Sequence, residues 1–289
     1  MTRITQLAMT TNSLANLQTS LTKVQRLQEQ ASSGKRIGVP SDDPQATASS
    51  MVLRSAQSAN DQYTRNGQYA NSRLSTADNA LQSINAQMQQ VRQLVVRSQS
   101  GALDDNARAA ISAQITQLKS EMIDHYNTQY LGRPVFGGTV AGGKAIDDTG
   151  TYIGDGNPVM AKLSGSASVR VDVDGASIGA DAVPGMLDQI ASNVLLSDGT
   201  AQADLDAIDD VLSKISIATA NVGAAETRVS DTLSLNSSRS VDLTNSIAQN
   251  ESIDLAEVLT KVAAQQVAYQ SALGVTAKIN QTSLLDFLR

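Results

Sequence analysis

The chain contains a long heptad pattern of small and aliphatic residues, which runs from about Asp43 to Gly101. Its members follow one another at alternating steps of four and three: Tyr63, Gly67, Ala70, Leu74, Ala77, Leu81, Ile84, Met88, Val91 and Val95. This spacing is typical of a helix that packs along a left-handed seam. At a rise of about 1.5 Å per residue the helix is on the order of 80 Å long, more than the width of a compact domain. We therefore expect an elongated helical rod.

A shorter helix is predicted before this stretch, over residues 11–33. Thr11 or Ser13 suits its N-cap, and Gly34 suits the position after its end, where a left-handed backbone terminates a helix. The following segment, residues 34–44, contains two glycines and two prolines. It therefore cannot be helical, and it separates the first helix from the long one.

The long helix is expected to begin at Asp43, which precedes a proline and suits the N-cap, and to end at Gly101. Asp104 or Asp105 then caps a third helix, which ends before Gly132. Because the intervening turn is only a few residues long, the long helix and the third helix should be antiparallel neighbours.

The composition of the sequence changes between residues 137 and 199, where glycines recur every few positions. Residues 168–175 alternate polar with apolar side chains before a turn, which is the period of a strand. Residues 137–204 carry three basic and nine acidic side chains, a net charge of −6, so the rest of the chain is neutral overall. An acidic middle argues against nucleic acid as a partner, because nucleic acid requires a basic face.

Helical periodicity returns at Leu205 and continues to Ile247, and a last helix follows from Leu255. The seam of the first of these helices contains four polar residues and is therefore weaker than that of the long helix: Thr219, Glu226, Asn236 and Ser240. Neither the first nor the last helix can bury its apolar stripe alone, so we expect the two to pair. The apolar end of the chain, residues 284–288, is typical of an association surface.

The side chains expected to form an assembly interface lie on the first and last helices. They are Leu14, Leu17, Leu21, Val24, Leu255, Val258, Val262, Ile279, Leu284, Leu285, Phe287 and Leu288.

The predicted fold class is mainly α: an elongated antiparallel coiled-coil rod formed by both chain ends, with a small β-rich inserted domain. Three domains are expected. Residues 1–44 with 250–289 form an inner coiled-coil terminal domain, residues 45–136 with 201–249 form a helical rod domain, and residues 137–200 form a β-rich outer inserted domain.

Three motifs that could carry chemistry are each incomplete. Residues 138–144 match the glycine and lysine spacing of a phosphate-binding loop, but Ala145 replaces the hydroxyl residue that would hold magnesium. His125 is the only histidine, which argues against a nucleophile triad or a histidine metal site. Residues 172–175 resemble part of a calcium loop, but Val183 occupies the closing ligand position. We therefore expect no enzyme activity, no metal and no cofactor.

The sequence contains no cysteine, so disulfides and thiolate metal sites are excluded. No apolar run approaches the 18 residues that a membrane span requires, and the first twenty residues lack the apolar core of a signal peptide. We therefore expect neither a membrane partner nor export by an ordinary signal peptide.

Several motifs resemble those of the flagellin superfamily, in particular its members at the junction between hook and filament. They are residues 33–37 and 41–44 before the long helix, residues 129–139 and 152–156 at the start of the insertion, and residues 269–273 and 284–288 at the chain end. The resemblance covers both ends of the chain more fully than its middle.

The resemblance implies a structural protein of the bacterial flagellum. In that family the paired termini line the axial tube, the long helices form the next shell, and the insertion faces outward. The implied role is a ring between hook and filament, and the implied partners are identical subunits, hook-associated protein 1, flagellin and a flagellar export chaperone. The implied location is extracellular, with export through the flagellar channel and no cleaved signal peptide.

Two other functions remain open at this point. The first is flagellin itself, which shares the end helices. The second is a cytoplasmic coiled-coil scaffold or signalling protein, although the glycine-rich insertion argues against it.

Overall fold

The computed structural model describes residues 2–100, 103–196 and 200–287, and over these ranges the protein is mainly α-helical. The helices are α1 (Thr2–Ser33), α2 (Pro44–Ser98), α3 (Asp105–Tyr126), α4 (Val183–Leu196), α5 (Ala201–Glu251) and α6 (Leu255–Phe287). The strands are β1 (Gln129–Tyr130), β2 (Arg133–Pro134), β3 (Met160–Lys162) and β4 (Ser168–Arg170), and a 3₁₀ helix spans Ala176–Ile178. The chain divides into two compact units, residues 1–58 with 240–289 and residues 59–239. We call these the terminal unit and the central unit.

The predicted helix boundaries are mostly confirmed. Gly34 follows α1 with a left-handed φ of 68°, and the Asp43 carboxylate accepts a hydrogen bond from Ala46 N at 2.9 Å, as an N-cap should. Asp104 caps α3 in the same way. The predicted start of α1 at residue 11 is wrong, since the helix begins at Thr2, and no glycine or proline between residues 2 and 33 would interrupt it. Gly101 lies outside the described residues.

The central unit is built around the predicted seam of α2. From Ala70 to Val95 the seam residues are all buried, and residues of α5 such as Ile208, Ile215 and Val222 are buried with them. The two helices run antiparallel here. Three contacts show this, because the residue number falls along α2 while it rises along α5. They are Arg92 with Asp209 at 2.7 Å, Gly67 beside Leu233, and Asn60 Nδ2 donating to Asn236 O at 2.9 Å.

Polar residues in the seam of α5 make buried hydrogen bonds or have a shifted pKa. Asn236 is buried, accepts from Asn60 through its carbonyl, and donates from Nδ2 to Leu163 O at 3.1 Å. Burial, together with the nearby Asp78 carboxylate, raises the pKa of Glu226. The seam of α5 thus contains a hydrogen-bonded amide at Asn236 and a carboxyl group with a raised pKa at Glu226.

Helix α3 runs antiparallel to α2, as the short turn predicts. Arg108 near the start of α3 donates to Ser98 O at 3.4 Å, and Gln87 of α2 donates to Glu121 further along α3 at 3.2 Å. Helix α4 packs against α3, with Ser112 Oγ donating to Ala191 O at 2.9 Å. The sequence reasoning missed α4 because frequent glycines around it suggested strands and turns throughout the insertion.

The strands of the insertion are short. β1 pairs with β2 and β3 pairs with β4, both antiparallel. Beyond β4 the chain stays extended, with Val171 N donating to Val159 O at 2.8 Å and Val173 N to Val135 O at 3.3 Å. Val169, Val171 and Val173 are all buried, and the regular ladder covers only three residues. The predicted alternation holds from Ser168 to Val171 but fails at Asp172, which is buried as well because it pairs with Arg170.

A buried arginine ties α2 to the insertion. Arg73 is 1% exposed, and it donates from Nε to Val171 O and from Nη2 to Pro134 O, both at 3.0 Å. Its Nη1 has no partner among the described residues. One side chain thus joins two segments that are distant in sequence, and the planar guanidinium holds both carbonyls at once.

We predict that Arg73→Ala lowers the free energy of unfolding by roughly 3–5 kcal/mol, because it leaves two buried carbonyls unpaired and a cavity behind. Arg73→Met refills most of the volume, so its smaller loss isolates the hydrogen bonds. Denaturant unfolding followed by circular dichroism measures both. Equal stability of the wild type and Arg73→Ala would show that the contact carries no net stabilisation.

In the terminal unit, ion pairs and backbone contacts join the loop after α1 to the break between α5 and α6. Arg36 N donates to Glu251 O at 2.7 Å, and Lys35 forms an isolated antiparallel bridge with Ser252. Arg54 donates to the two carboxylate oxygens of Glu251 at 3.1 and 2.7 Å. Hydrogen bonds from Arg54 are the main cause that lowers the pKa of Glu251.

We predict that the stabilisation from Glu251 is lost in acid. A carboxylate with a lowered folded-state pKa stabilises the protein above its ordinary value of 4.5, and this contribution disappears as the pH falls through the lowered value. The Tm of Glu251→Gln should therefore lie below that of wild type at pH 7, and the gap should close in acid. Glu29→Gln, which removes a carboxylate without a partner among the described residues, is the matched control. A gap that stays constant with pH would contradict the assignment.

Candidate assembly interface

The first and last helices pair as predicted. Helices α1 and α6 pack against each other in the terminal unit, and Gln265 Nε2 donates to Ser20 Oγ at 2.9 Å across the pair. Asp254 accepts from Ala256 N and Glu257 N and so caps the start of α6. The sequence therefore places two long helices side by side although more than 200 residues separate them.

The predicted interface residues fall into three classes of exposure. Val24 and Val258 are buried, each 7% exposed. Leu17 and Val262 are half-buried. Leu14, Leu21 and Leu255 are 53%, 39% and 51% exposed. Ile279, Leu284, Leu285 and Phe287 belong to α6, but their side chains lie outside what the structure describes, and Leu288 lies outside the described residues altogether.

Helix α6 also carries exposed apolar residues that the sequence analysis did not single out as interface residues. They are Leu259, Val267, Leu273 and Val275. Leu259 directly follows the buried Val258, and consecutive helical residues point about 100° apart. Apolar side chains thus occupy more than one face of α6, and a helix of that kind is expected to be covered by more than one neighbour. The sequence did contain a signal for this second apolar face, namely the apolar residues of α6 that lie outside its main apolar stripe.

The loop that resembles a phosphate site is filled by the protein's own side chains. Asp155 accepts hydrogen bonds from Thr139 Oγ1 and from Thr139 N, and these bonds lower the pKa of Asp155. Gly138 has a φ of 69°, and a Cβ at this position would lie 2.2 Å from the Asp155 carboxylate. Ala145 N and Ile146 N both donate to Asn127 Oδ1 at 2.8 Å. Thr139 N within the loop, and Ala145 N and Ile146 N directly after it, therefore donate to side chains of the protein itself.

The other two motifs lie in ordinary structural surroundings. His125 is half-buried in the last turn of α3, and its carbonyl accepts from Thr128 Oγ1 at 2.7 Å. Asp172 is buried, pairs with Arg170 at 2.9 Å and accepts from Val159 N at 2.7 Å. Within the described ranges, no cluster of three or more histidine, aspartate or glutamate side chains is placed to hold a metal. No described helix is long and apolar enough to cross a bilayer.

Both ends of the chain match known sequence families. Residues 4–141 match the bacterial flagellin N-terminal helical region, and residues 205–288 match the bacterial flagellin C-terminal helical region. The two matched regions contain most of the helices that form the seam and the terminal pair.

Individual relatives are flagellar components. Flagellar hook-associated protein 3 of Escherichia coli K12 is 30% identical over 60% of this chain and 53% of its own length. The Salmonella typhimurium protein of the same name is 28% identical over 63% of this chain and 59% of its own length, so the chain spans little more than half of these two relatives. Flagellin of Halalkalibacterium halodurans is 25% identical over 96% of both chains.

Solved structures share the fold. A structure from Vibrio parahaemolyticus, described as a flagellar hook-associated protein, aligns with a TM-score of 0.67 at 19% identity, over 73% of this chain and 100% of that one. Xanthomonas campestris FlgL aligns with a TM-score of 0.58 at 17% identity, over 68% of this chain and 99% of that one. Because the two flagellin helical regions together match well over half of its residues, the chain belongs to the flagellin family.

Proposed function

We propose that this protein is a structural subunit of the bacterial flagellum and that it forms the ring between hook and filament, the role of a hook-associated protein 3. The family match and the two relatives of that name support the proposal. The protein acts by contact rather than by catalysis in this proposal.

The observation that carries the proposal is the set of apolar residues that the pairing of α1 and α6 leaves exposed. Leu14, Leu255 and Leu259 are each more than half exposed. Full burial of one such side chain contributes about 1.5–3 kcal/mol. In a ring of identical subunits every copy gains this energy from its neighbours, which offsets the entropy lost on assembly.

The proposed partners follow from this position. Identical copies cover the terminal helices laterally, hook-associated protein 1 lies on the hook side, and flagellin lies on the filament side. An export chaperone shields the apolar terminal helices before the chain passes through the flagellar channel without a cleaved signal peptide. The acidic segment of residues 137–200 faces solvent as an outer domain, outside the cell.

Flagellin is the second candidate function. The Halalkalibacterium halodurans flagellin matches this chain over nearly its whole length, whereas the hook-associated relatives are matched over little more than half of theirs. Copy number separates the two roles, since a filament subunit is present in thousands of copies and a junction subunit in a single ring.

Immunogold labelling of intact flagella tests the proposal. We expect one labelled band where the hook meets the filament, and a strain without the protein should carry hooks but no filaments. Label along the whole filament would assign the protein to flagellin instead. Label confined to the cell body would favour the cytoplasmic scaffold and would refute a flagellar role.

We predict that Leu14→Asp blocks assembly while the subunit remains folded. Leu14 is 53% exposed, so its replacement should change the free energy of unfolding by no more than about 0.5 kcal/mol. Val24→Asp on the same helix is the matched comparison, because Val24 is 7% exposed and a buried carboxylate costs several kcal/mol. Circular dichroism measures folding, and electron microscopy of the mutant strains counts filaments. Normal filament numbers with Leu14→Asp would remove Leu14 from the interface.

A further inference from the structure

The sequence contains a single Asn-Gly pair, Asn66-Gly67, and it lies within α2. In a flexible chain this dipeptide is chemically unstable, because glycine has no side chain to keep its backbone nitrogen away from the asparagine side chain. Glycine also weakens the interior of a helix more than any residue except proline. The presence of this pair inside a helix of 55 residues therefore calls for a structural reason.

The packing of the seam requires glycine at position 67. Gly67 is buried, and a Cβ at this position would lie 2.6 Å from Leu233 Cδ2 and 3.0 Å from Leu233 Cγ. A larger residue would therefore push α5 away from α2 or displace Leu233 from its rotamer. Glycine thus permits the close approach of the two helices.

A contact with the insertion requires an amide at position 66. Asn66 Nδ2 donates to Lys162 O at 2.9 Å, and Asn66 Oδ1 accepts from Gln62 Nε2 at 2.9 Å. Lys162 ends β3, and the carbonyl of the next residue, Leu163, accepts from Asn236 Nδ2 at 3.1 Å. Two amides, one from α2 and one from α5, thus hold consecutive carbonyls of the insertion. A carboxylate at position 66 has no proton to donate to Lys162 O, and it repels that oxygen.

The helix keeps the two reacting groups of the pair apart. In an α-helix the N–H of Gly67 donates to the carbonyl of Tyr63, four residues earlier. This hydrogen bond retains the amide proton and directs the nitrogen along the helix axis, away from Asn66 Cγ. The pair lies in the central unit, next to the buried part of the seam that begins at Ala70. The two groups can therefore meet only when this part of α2 unfolds.

We propose that Asn66 is a deamidation site that folding of the central unit protects. In the unfolded chain Gly67 N loses its proton and attacks Asn66 Cγ, and the side-chain nitrogen leaves as ammonia. Water then opens the cyclic imide at one of its two carbonyl groups, which gives aspartate or isoaspartate at position 66. Water is the only co-reactant, and the reaction needs no oxidant or reductant.

Both products weaken the contact between α2 and the insertion. Aspartate removes the donor to Lys162 O. Isoaspartate also adds a methylene group to the main chain, which breaks the helical hydrogen bonds beside the buried Gly67. A chain that stays unfolded for long therefore loses the ability to form the central unit. This limit applies whether the folded subunit serves at the junction or in the filament.

Peptide mass spectrometry tests the protection. Purified protein is incubated at alkaline pH, either folded in buffer or unfolded in guanidinium chloride. We expect deamidation of Asn66 to be at least about a hundredfold slower in the folded sample, because it requires unfolding of the central unit. Asn71 in the same helix precedes serine and should react more slowly than Asn66 in the unfolded sample. Equal rates for Asn66 in the two samples, or no reaction in the unfolded one, would overturn the proposal.

Refolding after incubation tests the consequence of the modification. Samples unfolded for increasing times are returned to buffer, and circular dichroism measures the fraction that refolds. For the wild type this fraction should fall as isoaspartate accumulates at position 66. Asn66→Gln keeps an amide but forms an imide far more slowly, so its refolded fraction should stay at its own starting value. Full refolding of wild-type chains that contain isoaspartate at this position would contradict the proposal.

The variant Asn66→Asp isolates the effect of the aspartate product. It should fold, with a Tm about 2–4 °C below that of the wild type, because one hydrogen bond to the insertion is lost. Asn71→Asp makes the same chemical change at an exposed position of α2 and should leave the Tm unchanged. A wild-type Tm for Asn66→Asp would show that the amide at position 66 does not hold the insertion.

Discussion

The apolar seam of α2 in the central unit is the interaction on which the rest of that unit depends. Small and aliphatic side chains from Ala70 to Val95 are buried along it, and α5 and α3 both contact α2. Small residues permit close approach, as at Gly67, where an added Cβ would lie 2.6 Å from Leu233. The length of the seam comes from the heptad repeat itself, because each further turn of helix adds another buried pair. Arg73 of α2 joins the insertion to this seam through Val171 O.

Buried polar groups give this seam its register. An apolar seam of similar residues could slip by one heptad at little cost, but a slip of α5 would separate the buried Asn236 side chain from Leu163 O, to which its Nδ2 donates. Arg73 acts in the same way toward the insertion, since its two hydrogen bonds require Pro134 and Val171 at fixed positions. Each of these groups would be costly to bury without its partners. They therefore select one arrangement among several that hydrophobic burial alone would allow.

The terminal unit differs from the central unit because its paired helices keep apolar side chains exposed. Its two helices pair, yet exposed leucines and valines remain on both of them, and Leu14 and Leu255 are each about half exposed. The ion pair between Arg54 and Glu251 and the backbone bond from Arg36 N to Glu251 O join α2 and the loop after α1 to the end of α5, close to where α6 begins. A unit that is incomplete as a monomer suits a protein whose proposed work is to be completed by its neighbours.

The sequence by itself determined the elements whose signals are local or periodic. The heptad spacing of α2, the caps at Asp43 and Asp104 and the glycine after α1 were all readable, because each depends on residues within a few positions of one another. Tertiary structure decided the rest. It buried Val24 and Val258 while leaving Leu14 and Leu255 exposed, although all four had been predicted in one interface. It also formed α4 within a glycine-rich stretch and placed Arg73 against two distant carbonyls. These outcomes depend on which segments meet in space, and a periodic pattern shows that a face will be buried without showing what will cover it.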